Sequence, residues 1–237
     1  MATQLAHVVI DALDPAALAR FWTDALAWTV VIDDPHEVEI AGGADDVNLI
    51  FVPTSEPKRT KNRLHFDLPS RSDDEQRETV ERLIGLGATR ADIGQGDVPW
   101  VVLADVEGNE FCVLPASFGA HHMPIGAISM DADDAPRMAD FWSAATGWPV
   151  RDRDTYSALS TGAGPIIAMG PPVAPKRGKN RVHIDVRPEP GGDTQEEASR
   201  LISLGATRVD IGQRDVPWIV LADPEDNEFC VLTPADE

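Results

Sequence analysis

The apolar pattern at the start of the chain changes from that of a strand to that of a helix. Residues 5–12 have the alternation of a β-strand, and Asp14 followed by Pro15 supplies a helix N-cap with proline at the first helical position. The apolar residues that follow recur at helical spacing: Leu18, Phe21, Trp22, Ala25 and Leu26. Short strands are then indicated over residues 29–32, 38–41 and 47–52, between Asp-Asp-Pro and Gly-Gly turn signals. The pattern predicts a βαβββ module.

The same order of elements begins again at residue 63. A strand over 63–68 precedes a helix that we expect Asp73 to cap and Gly87 to end. Strands are predicted over 89–93, 100–104 and 110–114. Because the second half of the chain repeats these signals, the whole chain is predicted to contain four βαβββ modules.

A tandem duplication accounts for this recurrence. The segment KNRLHFD at 61–67 returns as KNRVHID at 179–185, an offset of 183 − 65 = 118 residues. Between 82–114 and 200–232, 27 of 33 positions are identical, and all six tryptophans fall into repeat-related pairs. We therefore predict two units, residues 1–118 and 119–237.

Composition and charge narrow the class of protein. A chain with 43% hydrophobic and 25% charged residues is typical of globular proteins, and its net charge of −20 disfavours nucleic-acid and membrane-surface partners. The charge is spread over both units, with 9 − 21 = −12 before residue 119 and 11 − 19 = −8 after it. Two cysteines, no signal-peptide pattern and no long apolar stretch predict a cytoplasmic protein, and no nucleotide cofactor is expected.

Two segments carry a family resemblance. HVVIDALDPAALARFW at 7–22 and ADVEGNEFCVL at 104–114 resemble the vicinal oxygen chelate (VOC) superfamily, which includes glyoxalase I, bleomycin-resistance proteins and extradiol dioxygenases. The chain is most similar to actinobacterial glyoxalase-like domains of mostly unassigned activity. The resemblance implies an α+β fold in which two modules form one cup-shaped mixed sheet around a pocket, and four modules form two cups.

The resemblance also implies where metal ligands lie, on the first and last strands of each module. The first-strand positions are His7, His65, Ala127 and His183, and the last-strand positions are Asn48, Glu110, Ile166 and Glu228. If consecutive modules share a cup, His7, His65 and Glu110 supply two imidazoles and a carboxylate for Fe, Mn, Ni or Zn. If modules exchange, His7 and Asn48 face His183 and Glu228, and the other cup has Ala127 and Ile166. Either way, only one site is complete, so one tightly bound divalent metal is expected per chain.

Other residues are candidates for the pocket. Cys112 and Cys230 follow the glutamates by two positions, and Asp67 and Asp185 follow the histidines by two, so each pair shares a strand face. The aspartates can act as bases or orient the histidines, and Asn48 can contact a ligand or a substrate. Trp100 and Trp218 can pack in the core or stack in the pocket. Each of these residues also has a structural alternative. His65 and His183 can be hydrogen-bonded residues of the cup, and the cysteines can be small buried apolar side chains. The aspartates can pair with neighbouring backbone or with the arginines of the KNR segments.

Two basic clusters stand out in an acidic chain. Lys58, Arg59, Lys61 and Arg63 recur as Lys176, Arg177, Lys179 and Arg181 at the module junctions. They can attract a carboxylate or phosphate, or they can pair with local acids in solvated linkers. His121 and His122 are expected in the loop between the units.

Three hypotheses for function follow. The first is a metalloenzyme of lyase, isomerase or extradiol dioxygenase type that acts on a small oxygen-rich molecule. The second is a metal-free protein that sequesters a cationic antibiotic or secondary metabolite, as bleomycin-resistance proteins do, which the acidity favours. The third is a pseudo-enzyme whose second cup only completes the fold. We expect a small-molecule ligand and either a monomer or a homodimer.

Overall fold

A computed structural model describes residues 3–118, 123–153, 156–172, 174–213 and 215–235. Within these ranges the chain forms sixteen strands and four α-helices, arranged as four successive βαβββ modules. The histidines of the predicted linker, His121 and His122, lie outside the described residues. None of the helices so described is both long and apolar enough to cross a membrane.

Each module has the predicted order of elements. Module one consists of β1 (Thr3–Ala12), α1 (Pro15–Leu26), β2 (Thr29–Asp33), β3 (Val38–Ala41) and β4 (Leu49–Pro53). Module two consists of β5 (Leu64–Leu68), α2 (Asp73–Gly85), β6 (Thr89–Arg90), β7 (Val101–Ala104) and β8 (Glu110–Val113), and a 3-10 turn (Ala116–Phe118) follows it. Module three consists of β9 (Ala127–Asp131), α3 (Ala135–Thr146), β10 (Val150–Arg153), β11 (Ser157–Leu159) and β12 (Ile166–Gly170). Module four consists of β13 (Val182–Pro188), α4 (Thr194–Ser203), β14 (Thr207–Arg208), β15 (Ile219–Ala222) and β16 (Glu228–Val231).

The helix ends follow local capping rules. Asp14 caps α1 by accepting a hydrogen bond from the Ala17 amide at 3.0 Å. For α2 the predicted N-cap was wrong by one residue. The N-cap is Ser72, which accepts a hydrogen bond from the amide of Glu75 at 3.1 Å, and Asp73 is the first residue of the helix. Gly87 has a φ of 112° just after this helix, where a side chain would be strained, as predicted.

The strands form two mixed eight-stranded sheets, which confirms the predicted α+β fold with duplicated modules. The first sheet has the order β14-β15-β16-β13-β1-β4-β3-β2, and the second has the order β10-β11-β12-β9-β5-β8-β7-β6. At their centres β1 pairs antiparallel with β13, and β5 with β9. Modules one and four therefore form the first cup, and modules two and three form the second cup. Of the two arrangements, the chain adopts the exchanged one.

The helices cover one face of each sheet and enclose the main core. Trp22 of α1 is fully buried, and its ring centroid lies 5.3 Å from that of Phe66 and 5.1 Å from that of Phe111, both in the second sheet. The Trp22 indole N–H donates to Oδ2 of Asp105 at 3.2 Å, and burial raises the pKa of this carboxyl group. Since α1 also packs on β3 and β4, it joins the first sheet to the second.

The opposite face of each sheet forms the interior of a cup. In the first cup Val9, Ile50 and Val220 are buried but do not belong to the core cluster under the helices. Their strand neighbours Val8 and Leu49 do belong to it, so the alternation of a strand places the two sets on opposite faces. The polar candidates His7 and Asp185 share the cup face with Val9.

Two glutamates link the halves of the molecule. The Glu107 carboxylate accepts from the amides of Leu13 and Asp14 at 2.9 and 2.8 Å and pairs with Arg181. Glu225 makes the same set of contacts in the other half, with the amides of Asp133 and Asp134 and with Arg63. Each carboxylate thus ties the start of a helix to the basic loop of another module.

The exchanged pairing predicts that the first unit does not fold as a monomer. In a fragment ending at Phe118, β1 and β5 both lose their antiparallel partners, so each half-sheet has an open central edge. Two copies can supply exchanged modules to each other, and the folded fragment is expected to be a dimer. Light scattering with circular dichroism tests this, and a folded monomer with native-like strand content would contradict the pairing.

Candidate functional site

The first cup brings two histidines to one carboxylate. His7 lies on β1 directly opposite Asp185 on β13, next to an irregularity in the strand pairing between Leu5 and His7. Nε2 of His7 lies 3.0 Å from Oδ2 of Asp185, and Nε2 of His183 lies 3.5 Å from Oδ1 of the same residue. The three side chains form a 2-His-1-carboxylate group whose members come from modules one and four.

Cys230 borders this group from the neighbouring strand. Parallel pairing of β13 with β16 places Cys230 beside Asp185, and its Sγ lies 3.8 Å from Nε2 of His183. Donor atoms of His183, Asp185 and Cys230 all lie within 4.8 Å of one another. Burial, together with the charge of Asp185, raises the pKa of the Cys230 thiol far above its usual range. The side chain is therefore a neutral thiol and not an activated nucleophile.

Two polar atoms of the group are buried without a hydrogen-bond partner. His183 is 9% exposed and Asp185 is 4% exposed, yet Nδ1 of His183 and Oδ1 of Asp185 make no hydrogen bond with any described residue. Burial lowers the pKa of His183, which keeps its imidazole neutral. A neutral imidazole and an unpaired carboxylate oxygen are in the forms that bind metal ions.

The second cup repeats this arrangement with one imidazole fewer. His65, Asp67 and Cys112 have donor atoms within 4.8 Å of one another, and burial raises the pKa of the Cys112 thiol. Ala127 lies opposite Asp67, where the first cup has His7 opposite Asp185. The second oxygen of Asp67 instead accepts a hydrogen bond of 2.6 Å from the hydroxyl group of Ser129.

The glutamates of the predicted ligand sets have other partners. Oε1 of Glu228 lies 2.9 Å from the ammonium of Lys176, and Oε2 accepts from the amide of Asn180 at 3.0 Å. Glu110 makes the matching contacts with Lys58 at 2.7 Å and with the amide of Asn62 at 3.1 Å. Since both oxygens of each carboxylate are used, these glutamates fasten the basic loops to the last strands.

The structure separates the members of the first predicted set. His7 belongs to the first sheet, whereas His65 and Glu110 belong to the second, because β1 pairs with β13 and not with β5. His7, His65 and Glu110 therefore do not form a single site. Of the residues in the exchanged alternative, His7 and His183 lie together beside Asp185, whereas Glu228 is paired with Lys176. Asp185, expected only as a pocket residue, takes the place of the carboxylate.

The remaining candidates are at least partly exposed. Asn48 donates from Nδ2 to Oε1 of Glu39 at 2.6 Å, a partner that the sequence did not indicate. Trp100 is half-buried and packs edge-on against Phe118, with ring centroids 5.6 Å apart. Trp218 is 38% exposed, so neither of these tryptophans is part of the buried core.

Ser129 was missed in the sequence, although a signal for it exists. It follows Ala127 by two residues on a strand and therefore shares the inward face of β9. The partners of the glutamates have no such signal, because Lys58 and Lys176 are each 52 residues away from them along the chain.

A structural role for Glu228 predicts strong coupling with Lys176. In a double-mutant cycle with Lys176→Met and Glu228→Gln, we expect a coupling free energy of about 1–3 kcal/mol, since each single change leaves a largely buried partner unpaired. Urea unfolding measures it. The same cycle on the more exposed pair Arg71–Glu75 of α2 is the control and should show much weaker coupling. Equal coupling in the two cycles would contradict the structural role.

Comparison with known proteins identifies the domain family and shows structures with a similar fold. The model of a glyoxalase-like domain matches residues 7–114 and again residues 127–232. No curated protein matches the chain. Glyoxalase I from Zea mays has a similar structure with a TM-score of 0.64 at 13% identity, covering 98% of this chain and 92% of that one. A protein named as a dioxygenase from Bacillus subtilis has a TM-score of 0.60 at 14% identity, covering 98% of this chain and 86% of that one.

At these identities the solved structures show a common fold and not a common activity. The two matches of the domain model together span most of the chain, and they coincide with the two sequence repeats. The chain therefore belongs to the glyoxalase-like domain family of the VOC superfamily, with two copies of the domain.

Proposed function

We propose that the protein binds one divalent metal ion in the first cup and acts there on a small oxygen-rich organic molecule. The observation that carries the proposal is the convergence of His7 and His183 on Asp185, with a buried imidazole nitrogen and a buried carboxylate oxygen left unpartnered. Two imidazoles and one carboxylate suit Fe, Mn, Ni or Zn and leave coordination positions open.

The two cups share a buried imidazole nitrogen and a buried carboxylate oxygen without a hydrogen bond, but they differ in the number of imidazoles. His183 is held neutral by burial, which removes the cost of deprotonation before metal binding. In the second cup Ser129 bonds the oxygen of Asp67 that corresponds to the one facing His7, and Ala127 offers no donor. Among the described residues, therefore, only the first cup has two imidazoles beside its carboxylate.

The residues of the cup have separate tasks in this proposal. A bound ion supplies Lewis acidity toward neighbouring oxygen atoms of the substrate. Val9, Ile50 and Val220 form buried apolar walls, which exclude water and strengthen electrostatic interactions in the cup. Glu39 fixes the amide group of Asn48, so that its orientation is set before a ligand arrives.

The likeness to glyoxalase I and to a named dioxygenase supports chemistry on oxygen-rich substrates. Lyase or isomerase chemistry and ring-cleaving dioxygenation both begin with a substrate that chelates through adjacent oxygens. The proposal covers this shared first step. We also propose a cytoplasmic location, which the two free, buried thiols Cys112 and Cys230 support.

Metal content provides the direct test. Protein purified without chelators is expected to contain about one equivalent of divalent metal per chain, because only one cup has the full donor set. His7→Ala and Asp185→Asn should each reduce that content severely, and elemental analysis by mass spectrometry measures it.

Two matched controls sharpen the test. His65→Ala removes an imidazole of the second cup, which is the counterpart of His183. Glu228→Gln removes a carboxylate that is paired with Lys176. Both are expected to keep the metal content of the unmodified chain. Two equivalents per chain, or unchanged content in His7→Ala, would rule out the proposed site.

A second candidate function is metal-free binding of a cationic small molecule. The acidic side chains of the first cup favour it, since Glu39 and Asp185 place two carboxylates on the cup strands β3 and β13. The net charge of −20 would attract such a ligand over longer distances.

A thermal melt of protein from which metal has been stripped with chelator, and the chelator then removed by dialysis, distinguishes the two candidates. If the protein sequesters cations, a cationic glycopeptide should raise the melting temperature without metal, and Glu39→Gln should reduce the rise. Asp33→Asn, on the exposed strand β2, changes the charge equally and should leave the rise intact. If only divalent ions raise the melting temperature, the sequestration candidate fails and the metal site is supported.

A further inference from the structure

A cavity of about 460 Å³ lies where the two basic loops meet. It is lined by residues 54, 56–63 and 177–181 together with Asp11, so both copies of the KNR segment contribute to it. Neither of the cup histidines His7 and His183 lines it, nor does Asp185. The cavity is therefore a separate feature from the proposed metal site.

The lining of this cavity is strongly cationic. Seven of its residues are Lys or Arg, against the carboxylates of Asp11 and Glu56. Five of the seven cations have a carboxylate partner, namely Lys58 with Glu110, Lys61 with Asp131, Arg63 with Glu225, Lys179 with Asp11, and Arg181 with Glu107. Pairing with acidic residues, which the sequence offered as one alternative for the basic clusters, therefore accounts for most of these cations but not for all of them.

The other two cations of the lining are arginines without a carboxylate partner in the described part of the chain. Arg59 and Arg177 are exposed, and neither has an ion pair or hydrogen bond with any residue that the structure describes. They occupy equivalent positions in the two units, since 177 − 59 = 118, the offset of the duplication. One free guanidinium therefore approaches the cavity from each unit.

Two further arginines are buried in the lining with an unused donor. Arg63 is 5% exposed and Arg181 is 8% exposed, and the Nε atom of each is buried without a hydrogen-bond partner. Their terminal nitrogens are held by Glu225 and Glu107, which sets the orientation of both guanidinium groups. Since both Nε atoms are buried, a ligand in the cavity does not reach them, and the pair contributes fixed guanidinium groups to the wall of the cavity.

We propose that this cavity binds the phosphate group of a small molecule. Arg59 and Arg177 have no ion-pair partner among the described residues, and in the lining only the carboxylate of Glu56 is likewise without one, so the lining keeps a net positive charge. The buried pair adds guanidinium groups in fixed positions. Guanidinium groups match the geometry of phosphate oxygens, and a dianion can be held from both units at once. The volume is within the range of about 300–1,000 Å³ typical of small-molecule sites, so it accommodates an organic portion beside the phosphate.

Calorimetric titration with inorganic phosphate tests the site. The unmodified chain should bind phosphate at constant ionic strength set with chloride, with the same affinity before and after metal is stripped with EDTA and the EDTA is removed by dialysis. Arg59→Gln and Arg177→Gln should each weaken binding by about tenfold, because each removes a charged hydrogen-bonding group from one side. The double variant should weaken it further.

A double variant of equal charge change is the control. Arg20→Gln with Arg90→Gln removes two exposed arginines that do not line the cavity, and phosphate affinity should remain unchanged. A similar loss in this control would show general charge attraction and overturn the proposal. Absence of phosphate binding, binding of succinate but not of phosphate, or dependence of binding on the EDTA treatment would also overturn it.

Discussion

The antiparallel pairing of β1 with β13 and of β5 with β9 is the constraint on which the other features depend. Each pairing joins the first strand of a module in one unit to the first strand of a module in the other. It places His7 opposite Asp185 and, in the other sheet, Ala127 opposite Asp67. The difference between one histidine and one alanine therefore becomes a difference between two cups, although the two units are nearly identical over their last third.

The carboxylates of the repeated turn before the last strand hold this arrangement together. Glu107 and Glu225 each link the start of a helix to a buried arginine of another module. Three residues later, Glu110 and Glu228 each fix a lysine and a backbone amide of a basic loop. Some of the acidic residues therefore have a structural role, because each buried Lys or Arg needs a carboxylate partner. These partners also explain why the glutamates do not reach the histidine clusters.

The polar interior of the molecule is divided into two chemical environments. The first cup has two imidazoles, of which burial keeps that of His183 neutral, together with a protonated thiol and a carboxylate among apolar walls. This environment suits a metal ion and its oxygen ligands. The cavity between the basic loops has free and partly satisfied guanidinium groups, an environment suited to an anion. The two are connected through the loops themselves, since Lys176 and Lys58 anchor to the last strands of the cups.

The sequence by itself determined the modules, the duplication, the cap at Asp14 and the glycine after α2, because these depend on residues close together in the chain. The family resemblance added the sheet architecture and the positions of the inward-facing histidines. Only the tertiary structure decided which modules share a cup, since His7 is compatible with either arrangement until β1 is paired. It also decided that Asp185 and not Glu228 meets the histidines, because the competing partner Lys176 lies 52 residues from that glutamate. The hydrophobic period of a sequence reflects local backbone geometry. Which of two similar strand edges pair, and which of two possible partners an ionised side chain contacts, depends on the packing of the whole chain.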